Sequence, residues 1–166
     1  MSTEQHRATS PAWVHCYVVT ISDTRSREND TSGDLIVGLL VTAGHALSGR
    51  ALVKDDPAAV RAAIANGRVG RTQVIITTGG TGITSRDSTY EAISSMFDKK
   101  LDGFGELFRM LSFQEIGSAA MLSRACAGTI GRTAVFSLPG SEAAVRLAMT
   151  KLILPEIGHV VRELNR

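Results

Sequence analysis

Residues 77–91 read Thr-Thr-Gly-Gly-Thr-Gly-Ile-Thr-Ser-Arg-Asp-Ser-Thr-Tyr-Glu, and no other stretch of the chain is better equipped for chemistry. Gly79, Gly80 and Gly82 lack side chains, so the backbone there can approach an anion closely and turn N–H groups toward it. Thr78 and Thr81 add hydroxyl donors. Asp87 places a carboxylate beside that anion, an arrangement that is favourable mainly when a cation lies between the two. An apolar run, Val74-Ile75-Ile76, precedes the glycines, and a helical pattern runs from Ser88 to Ile93. The loop thus joins the carboxyl end of a strand to the start of a helix, where open α/β sheets hold ligands. The same residues also fit an ordinary βα turn in which Asp87 or Ser88 caps the helix. Neither common nucleotide fingerprint is present. No Lys follows the last glycine, and the spacing is not G-x-G-x-x-G.

The elements that must position this loop follow from periodicity. Residues 14–21 and 46–53 read as strands, and residues 72–78 as a third. Leu35, Ile36, Leu39 and Leu40 give 33–43 helical spacing, and Pro57 opens a second helix with Val60 and Ile64 on one face. Alternating strands and helices predict a parallel sheet. Phe104, Leu107, Phe108 and Leu111 mark a further amphipathic helix. Residues 121–129 and 132–138 flank a turn at Ile130-Gly131 and read as a hairpin on the sheet edge. Helices over 140–152 and 155–164 complete the chain. The expected architecture is a three-layer α/β/α sandwich around a mostly parallel sheet with an antiparallel edge hairpin. Residues 1–12 are polar and read as a flexible tail before a single domain over 13–166.

Three loops should therefore converge at the carboxyl ends of the strands: Ser22-Asp23, Lys54-Asp55-Asp56, and the glycine loop through Asp87. Acids are usually solvated surface groups, but three beside an anion-binding loop suit a magnesium-bound polyphosphate. A fourth loop, Leu138-Pro139-Gly140-Ser141, again opens a helix. It offers N–H and hydroxyl groups to an anion, or simply a turn with Ser141 as the helix cap.

Composition bounds the alternatives. A chain of 166 residues with 43% hydrophobic content supports one sizeable core. The net charge of +2 is too small to argue for nucleic acid or an anionic membrane as partner. Cys16 and Cys126 form no C-x-x-C pair, and Cys16 in a strand pattern reads as a buried free thiol in a reduced, cytoplasmic setting. His6, His15, His45 and His159 show no zinc spacing, so the sequence argues against a histidine metal site.

Taken in order, Thr77 to Gly82 with Arg86-Asp87-Ser88-Thr89, Gly103-Phe104-Gly105-Glu106, Leu122-Ser123-Arg124 with Ala127-Gly128, and Leu138 to Ser141 resemble the molybdopterin adenylyltransferase family of MogA/MoaB type, closer to the MoaB branch. The likeness runs over about residues 14–161. It implies a trimer or hexamer that uses ATP, molybdopterin and magnesium to make adenylylated molybdopterin and pyrophosphate. It carries the family's essential, magnesium-binding aspartates onto Asp87 and Asp55. The phosphate-binding glycines fall on Gly79, Gly80 and Gly82. The loop with Pro139, Gly140 and Ser141 would border the nucleotide or the pterin. Ser22, Asp23, Thr78 and Thr81 are further candidates for holding the nucleotide and its phosphates, and Gly105, Glu106 and Ser112 are candidates for the pterin side. For Glu106, placement at a helix start is an equally good explanation. Tyr90 and Glu142 depart from the family, which often has Pro at both positions. The rival readings are a pterin-binding scaffold of the same fold without transfer activity, a related phosphohydrolase domain, and a generic dinucleotide binder.

Overall fold

The computed structural model describes residues 2–166. Its sheet is built from β1 (His15–Ile21), β2 (Ala46–Val53), β3 (Val74–Thr78), β4 (Lys99–Lys100), β5 (Cys126–Ile130) and β6 (Thr133–Leu138), in the order β2-β1-β3-β6-β5-β4. Pairings among β2, β1, β3 and β6 are parallel, and those of β5 with β6 and with β4 are antiparallel. The helices are α1 (Thr3–Ala8), α2 (Thr31–Thr42), α3 (Pro57–Gly67), α4 (Thr89–Ser94), α5 (Asp102–Ile116), α6 (Glu142–Ala148) and α7 (Leu154–Leu164). A π-helical turn over Met149–Ile153 joins α6 to α7.

Strand alternation sorts the core into two layers. Val14, Cys16 and Val18 pack with Ile36 and Leu40 of α2, Phe104 and Phe108 of α5, Val145 of α6, and Ile157 and Val161 of α7. Val19 and Ile21 point the other way, onto Val60 and Ile64 of α3 and Ile93 of α4. The three-layer sandwich is therefore present as the periodicity predicts. Aromatics are few, so β-branched and small side chains fill most of both layers. Among the exceptions, Phe104 meets Phe136 edge to face at 5.3 Å between centroids. The Cys16 thiol is buried and its pKa is pushed up to about 12 by that burial, as expected of an inert core cysteine.

Three features differ from the sequence reading. Part of the polar segment 1–12 is ordered as α1. Ser2 and Gln5 form a capping box at its start, and Arg7 reaches Glu156 of α7. Residues 117–122 form a 3-10 helix rather than the start of a strand, so β5 begins only at Cys126. The hairpin's outer strand is partly covered by β4, which pairs Lys99 with Thr129 and Lys100 with Gly128. Two consecutive lysines on the sheet edge discourage further strand addition.

Candidate functional site

The direction in which strands are added to the sheet reverses between β1 and β3. From β1 the chain adds β2 on one side, then returns to add β3 on the other. Loops leaving these two strands part at that point and open a crevice. The glycine loop stands in it. Gly79 and Gly80 have φ of 103° and 66°, a region that only glycine enters without strain. Space makes the same demand: a Cβ on Gly79 would meet the Ile21 carbonyl oxygen, and one on Gly80 would meet the Thr89 hydroxyl and lie 2.7 Å from Asp55 Oδ2. The loop is anchored at both ends. Gly79 N donates to the Leu138 carbonyl at 3.0 Å, and the Gly80 carbonyl accepts from Thr89 N at 3.2 Å.

Two clefts lie on either side of this loop. The first, of about 300 Å³, is polar and includes Ser22, Asp23, Arg25, Asp55 and Arg86 in its wall. The second, of about 440 Å³, has apolar walls from Phe108, Ile116, Leu122 and Ala144, with Ser112, Ser123 and Ser141 between them. Gly79, Gly80, Asp87 and Gly140 line both. The glycine loop is thus a shared ridge on which two ligands can meet.

The carboxylates are held with part of their capacity left open. Asp55 Oδ1 accepts from Ser88 N at 3.3 Å, Ser88 Oγ at 3.0 Å and Thr89 Oγ1 at 3.3 Å. A side chain from the loop after β2 therefore serves the start of α4, where Ser88 makes no side-chain cap bond of its own. Asp55 Oδ2 has no hydrogen-bond partner among the described residues and faces Gly80. Asp55 N in turn donates to Asp23 Oδ1 at 3.2 Å, which joins the first two loops. Asp87 Oδ2 accepts from Thr84 N at 2.9 Å and Thr84 Oγ1 at 2.5 Å, closing a tight turn rather than capping α4. The Thr84 hydroxyl holds the Asp87 carboxyl below the ordinary carboxylate range. Burial opposes this, and the Thr84 and Gly82 N–H groups and Arg124 reinforce it. Asp87 is therefore ionised at neutral pH, with Oδ1 free of partners among the described residues.

Several expected ligand groups line the clefts and also organise the loops, Ser22 and Thr78 in the first cleft and Ser141 in the second. Thr78 Oγ1 donates to the Pro139 carbonyl at 2.9 Å, tying the loops after β3 and β6 together. Ser22 Oγ accepts from Thr24 N and Arg25 N, which fixes the turn after β1. Ser141 caps α6 by accepting from Ala144 N at 3.2 Å and still borders the second cleft, as do Thr81, Gly82 and Pro139. Of the three pterin-side candidates, only Ser112 lines a cleft wall beside the glycine loop. Gly105 faces a separate small pocket with Arg109 and Cys126, and Glu106 is exposed outside both clefts. Helical phase explains the split: Ser112 shares the buried face of α5 with Phe108, whereas Glu106 lies on its outer face. Glu142 also stays outside both clefts, in the first turn of α6, where a negative charge is favourable.

Arg124 is the residue to which sequence reasoning gave no role. Its Nη2 donates to the Gly82 carbonyl at 2.5 Å and the Asp87 carbonyl at 3.5 Å, and its Nε to the Thr81 carbonyl at 3.4 Å. Glu91 pairs with it, and its guanidinium lies 5.1 Å from the Tyr90 ring centroid. One side chain thus spans the loop that carries Asp87, and Tyr90, a departure from the family, supports it through a cation–π contact. The Leu-Ser-Arg motif was visible in sequence, but nothing local showed that its arginine reached carbonyls some forty positions away.

Comparison with known proteins supports the family and the fold. A family profile described as "Probable molybdopterin binding domain" matches residues 17–159. The chain is 54% identical to molybdenum cofactor biosynthesis protein B of Bacillus cereus, over 100% of this chain and 99% of that protein. A crystal structure of a molybdenum cofactor biosynthesis protein B superposes with a TM-score of 0.92 at 56% identity, covering 95% of this chain and 99% of the other. The tungsten cofactor synthesizing protein MoaB from Pyrococcus furiosus gives 0.87 at 39% identity, covering 95% and 100%. With the family profile spanning most of its length and relatives matched end to end, the chain belongs to the molybdopterin-binding domain family, as a molybdenum cofactor biosynthesis protein of the MogA/MoaB type.

Proposed function

We propose that the chain transfers the adenylyl group of ATP to the terminal phosphate of molybdopterin and releases pyrophosphate. The observation that carries this reading is the pair of clefts sharing the Gly79-Gly80 ridge and Asp87. A two-substrate phosphoryl-group reaction needs such a meeting point, with one polar cleft for a charged chain and one apolar-walled cleft for a ring system. No protein nucleophile is required. A phosphate oxygen of molybdopterin attacks the α-phosphorus of ATP, the bond from that phosphorus to the bridging oxygen breaks, and the electron pair leaves on pyrophosphate. Rate enhancement then rests on alignment and charge stabilisation.

The chain's own residues divide that work. N–H groups of the glycine loop hold phosphate oxygens, and Arg25 and Arg86 at the rim of the polar cleft attract the polyphosphate. Asp55 and Asp87 present hard carboxylate oxygens free of internal partners, a donor set that fits magnesium. Bound there, magnesium supplies charge neutralisation on the leaving pyrophosphate. Arg124 and Thr84 fix the loop that aims Asp87. Incubation with ATP, magnesium and molybdopterin tests the reading, with pyrophosphate and adenylylated molybdopterin measured together. Equimolar formation of both is expected. Binding of molybdopterin without either product would favour the scaffold reading instead.

The same proposal includes a closed homo-oligomer, a trimer or a pair of trimers. Its support is an exposed apolar strip on α5 and the segment after it, comprising Leu107, Met110, Phe113, Ile116, Met121 and Leu122. Such a strip is unusual on a monomer. Ile116 and Leu122 also line the second cleft, so association through this strip would build out its wall.

A further inference from the structure

Where α1 docks on α7, the fold assembles a cluster that neither cleft uses. His159 and Glu163 stand one turn apart on α7, and His6 reaches them from α1. His6 Nδ1 lies 3.3 Å from Glu163 Oε1, and His159 Nε2 lies 4.0 Å from the same oxygen. All three ligand atoms fall within 4.8 Å of one another. The imidazoles meet edge to face at 5.7 Å between centroids, so neither ring blocks the other's nitrogen. On its far side His159 Nδ1 is 2.9 Å from Glu156 Oε2, and Glu156 is itself held by Arg7. A carboxylate at Nδ1 keeps the ring proton there and leaves the Nε2 lone pair facing the cluster.

We propose that His6, His159 and Glu163 form a binding site for a divalent transition-metal ion of the zinc type, with water completing the coordination. Two imidazoles and one carboxylate select zinc and its neighbours over magnesium or calcium. Bond lengths near those of zinc place tetrahedral ligand atoms about 3.4 Å apart. Of the three pairs, His6 with Glu163 already meets that spacing, and His159 with Glu163 must close by about half an ångström. The two imidazole nitrogens start within 4.8 Å of each other. Half-buried side chains at a helix–helix contact can make these adjustments. The Glu156–His159 pair supplies the orienting hydrogen bond that metal-binding histidines ordinarily have. Surrounding charge limits the affinity. Arg162 contacts Glu163 Oε1 at 2.6 Å and Arg166 contacts Oε2 at 3.2 Å, so both oxygens share their electron density with guanidinium groups. Arg7 is balanced by Glu156. Binding is therefore weaker than that of an all-thiolate structural site. The bound ion ties α1 to α7, and because it needs neutral imidazoles it competes with protons for them. The histidines showed no zinc motif in sequence because this ligand set is divided between the two ends of the chain.

Calorimetric titration of the metal-free full chain with zinc chloride near neutral pH tests the proposal. One zinc per chain is expected. His6→Ala and His159→Ala should each weaken binding by about tenfold or more. Glu156→Gln keeps all three ligands but also gives up the Arg7 ion pair, so hydrogen exchange of α1 is followed beside it. Weaker zinc binding with α1 still docked is expected, and reports the lost orienting bond apart from any undocking of the helix. Cobalt in place of zinc should give the strong visible absorption of a four-coordinate site, absent in His159→Ala. Cys126→Ser and Asp87→Asn should retain the site, since zinc also has affinity for thiols and carboxylates. Zinc binding that is absent, that survives both histidine substitutions, or that is lost with Cys126 or Asp87 instead, overturns the assignment.

Discussion

Asp30 and Asp55 lie on loops at the carboxyl ends of neighbouring strands, β1 and β2, yet their oxygens are used differently. Asp30 is 1% exposed. Its Oδ1 accepts from Gly33 N at 3.0 Å, capping α2, and its Oδ2 accepts from Thr20 Oγ1 and Arg50 Nη2, both at 2.6 Å. Arg50 also bonds Asp34 at 2.6 Å. Asp55 places all its bonds on Oδ1 and keeps Oδ2 open toward the glycine loop, and Asp87 mirrors it with Oδ1 open. A carboxylate matched at both oxygens stabilises the fold. One with an oxygen in reserve can hold a cation or a substrate. Type and position in the sequence are alike for the two classes, so hydrogen-bond saturation is what separates them.

That contrast can be broken most strongly at Arg50. Arg50→Ala leaves the Asp30 carboxylate buried without its cation and should cost about 3–5 kcal/mol of stability by urea unfolding. Acid unfolding sharpens the same point. Burial pushes the Asp30 carboxyl up, but the Thr20 hydroxyl, Arg50 and the Gly33 N–H together hold it below its ordinary value of 3.8. Its contribution to stability is therefore complete above that value and is lost as pH falls through the lowered one. The substitution should shrink this acid-side slope and leave the neutral range flat. A loss under about 1 kcal/mol would place Arg50 with ordinary surface ion pairs.

Gly80→Val attacks the open side of the comparison. The added carbons would fall between Thr89 and Asp55 Oδ2, at a backbone angle that β-branched residues avoid. ATP affinity should drop on the order of a hundredfold, roughly 2.7 kcal/mol, and molybdopterin affinity by less. Calorimetry with each ligand separately decides this, and equal losses would mean that the whole loop had collapsed. Arg124→Lys is the subtlest of the three. It keeps the charge but gives up the fork that spans the Thr81, Gly82 and Asp87 carbonyls. Turnover should fall about tenfold, ~1.4 kcal/mol, with the melting temperature almost unchanged. A change confined to stability would make Arg124 a structural residue only.

Much of this was legible in the sequence because it is written in local patterns. Period-two and period-3.6 hydrophobic spacing located the strands and helices of the parallel half. Gly79 and Gly80 announced a loop in which side chains are forbidden. What escaped depends on tertiary partners. The role of Thr78 turns on where the Pro139 carbonyl lies, and that of Ser88 on Asp55, which comes from another strand. Polar composition gave α1 no core-facing stripe to reveal it, and its partners on α7 lie at the opposite end of the chain. Arg50 sits in a strand whose outer positions alternate too weakly to mark one residue as paired. Residues 121–125 read as strand because apolar content was counted there without hydrogen-bond partners to support it.

The central claim is that a carboxylate with an oxygen in reserve does chemistry while a saturated one holds the fold. Asp87→Asn tests it most directly, with pyrophosphate release from ATP, magnesium and molybdopterin and the melting temperature measured on the same sample. The amide oxygen can still accept from Thr84, so the turn survives while the charge on the open side is lost. Turnover should fall on the order of a hundredfold, ~3 kcal/mol of transition-state stabilisation, with the melting temperature within a few degrees of the parent. Turnover at the parent rate, or loss of turnover only because the protein has unfolded, would contradict the account.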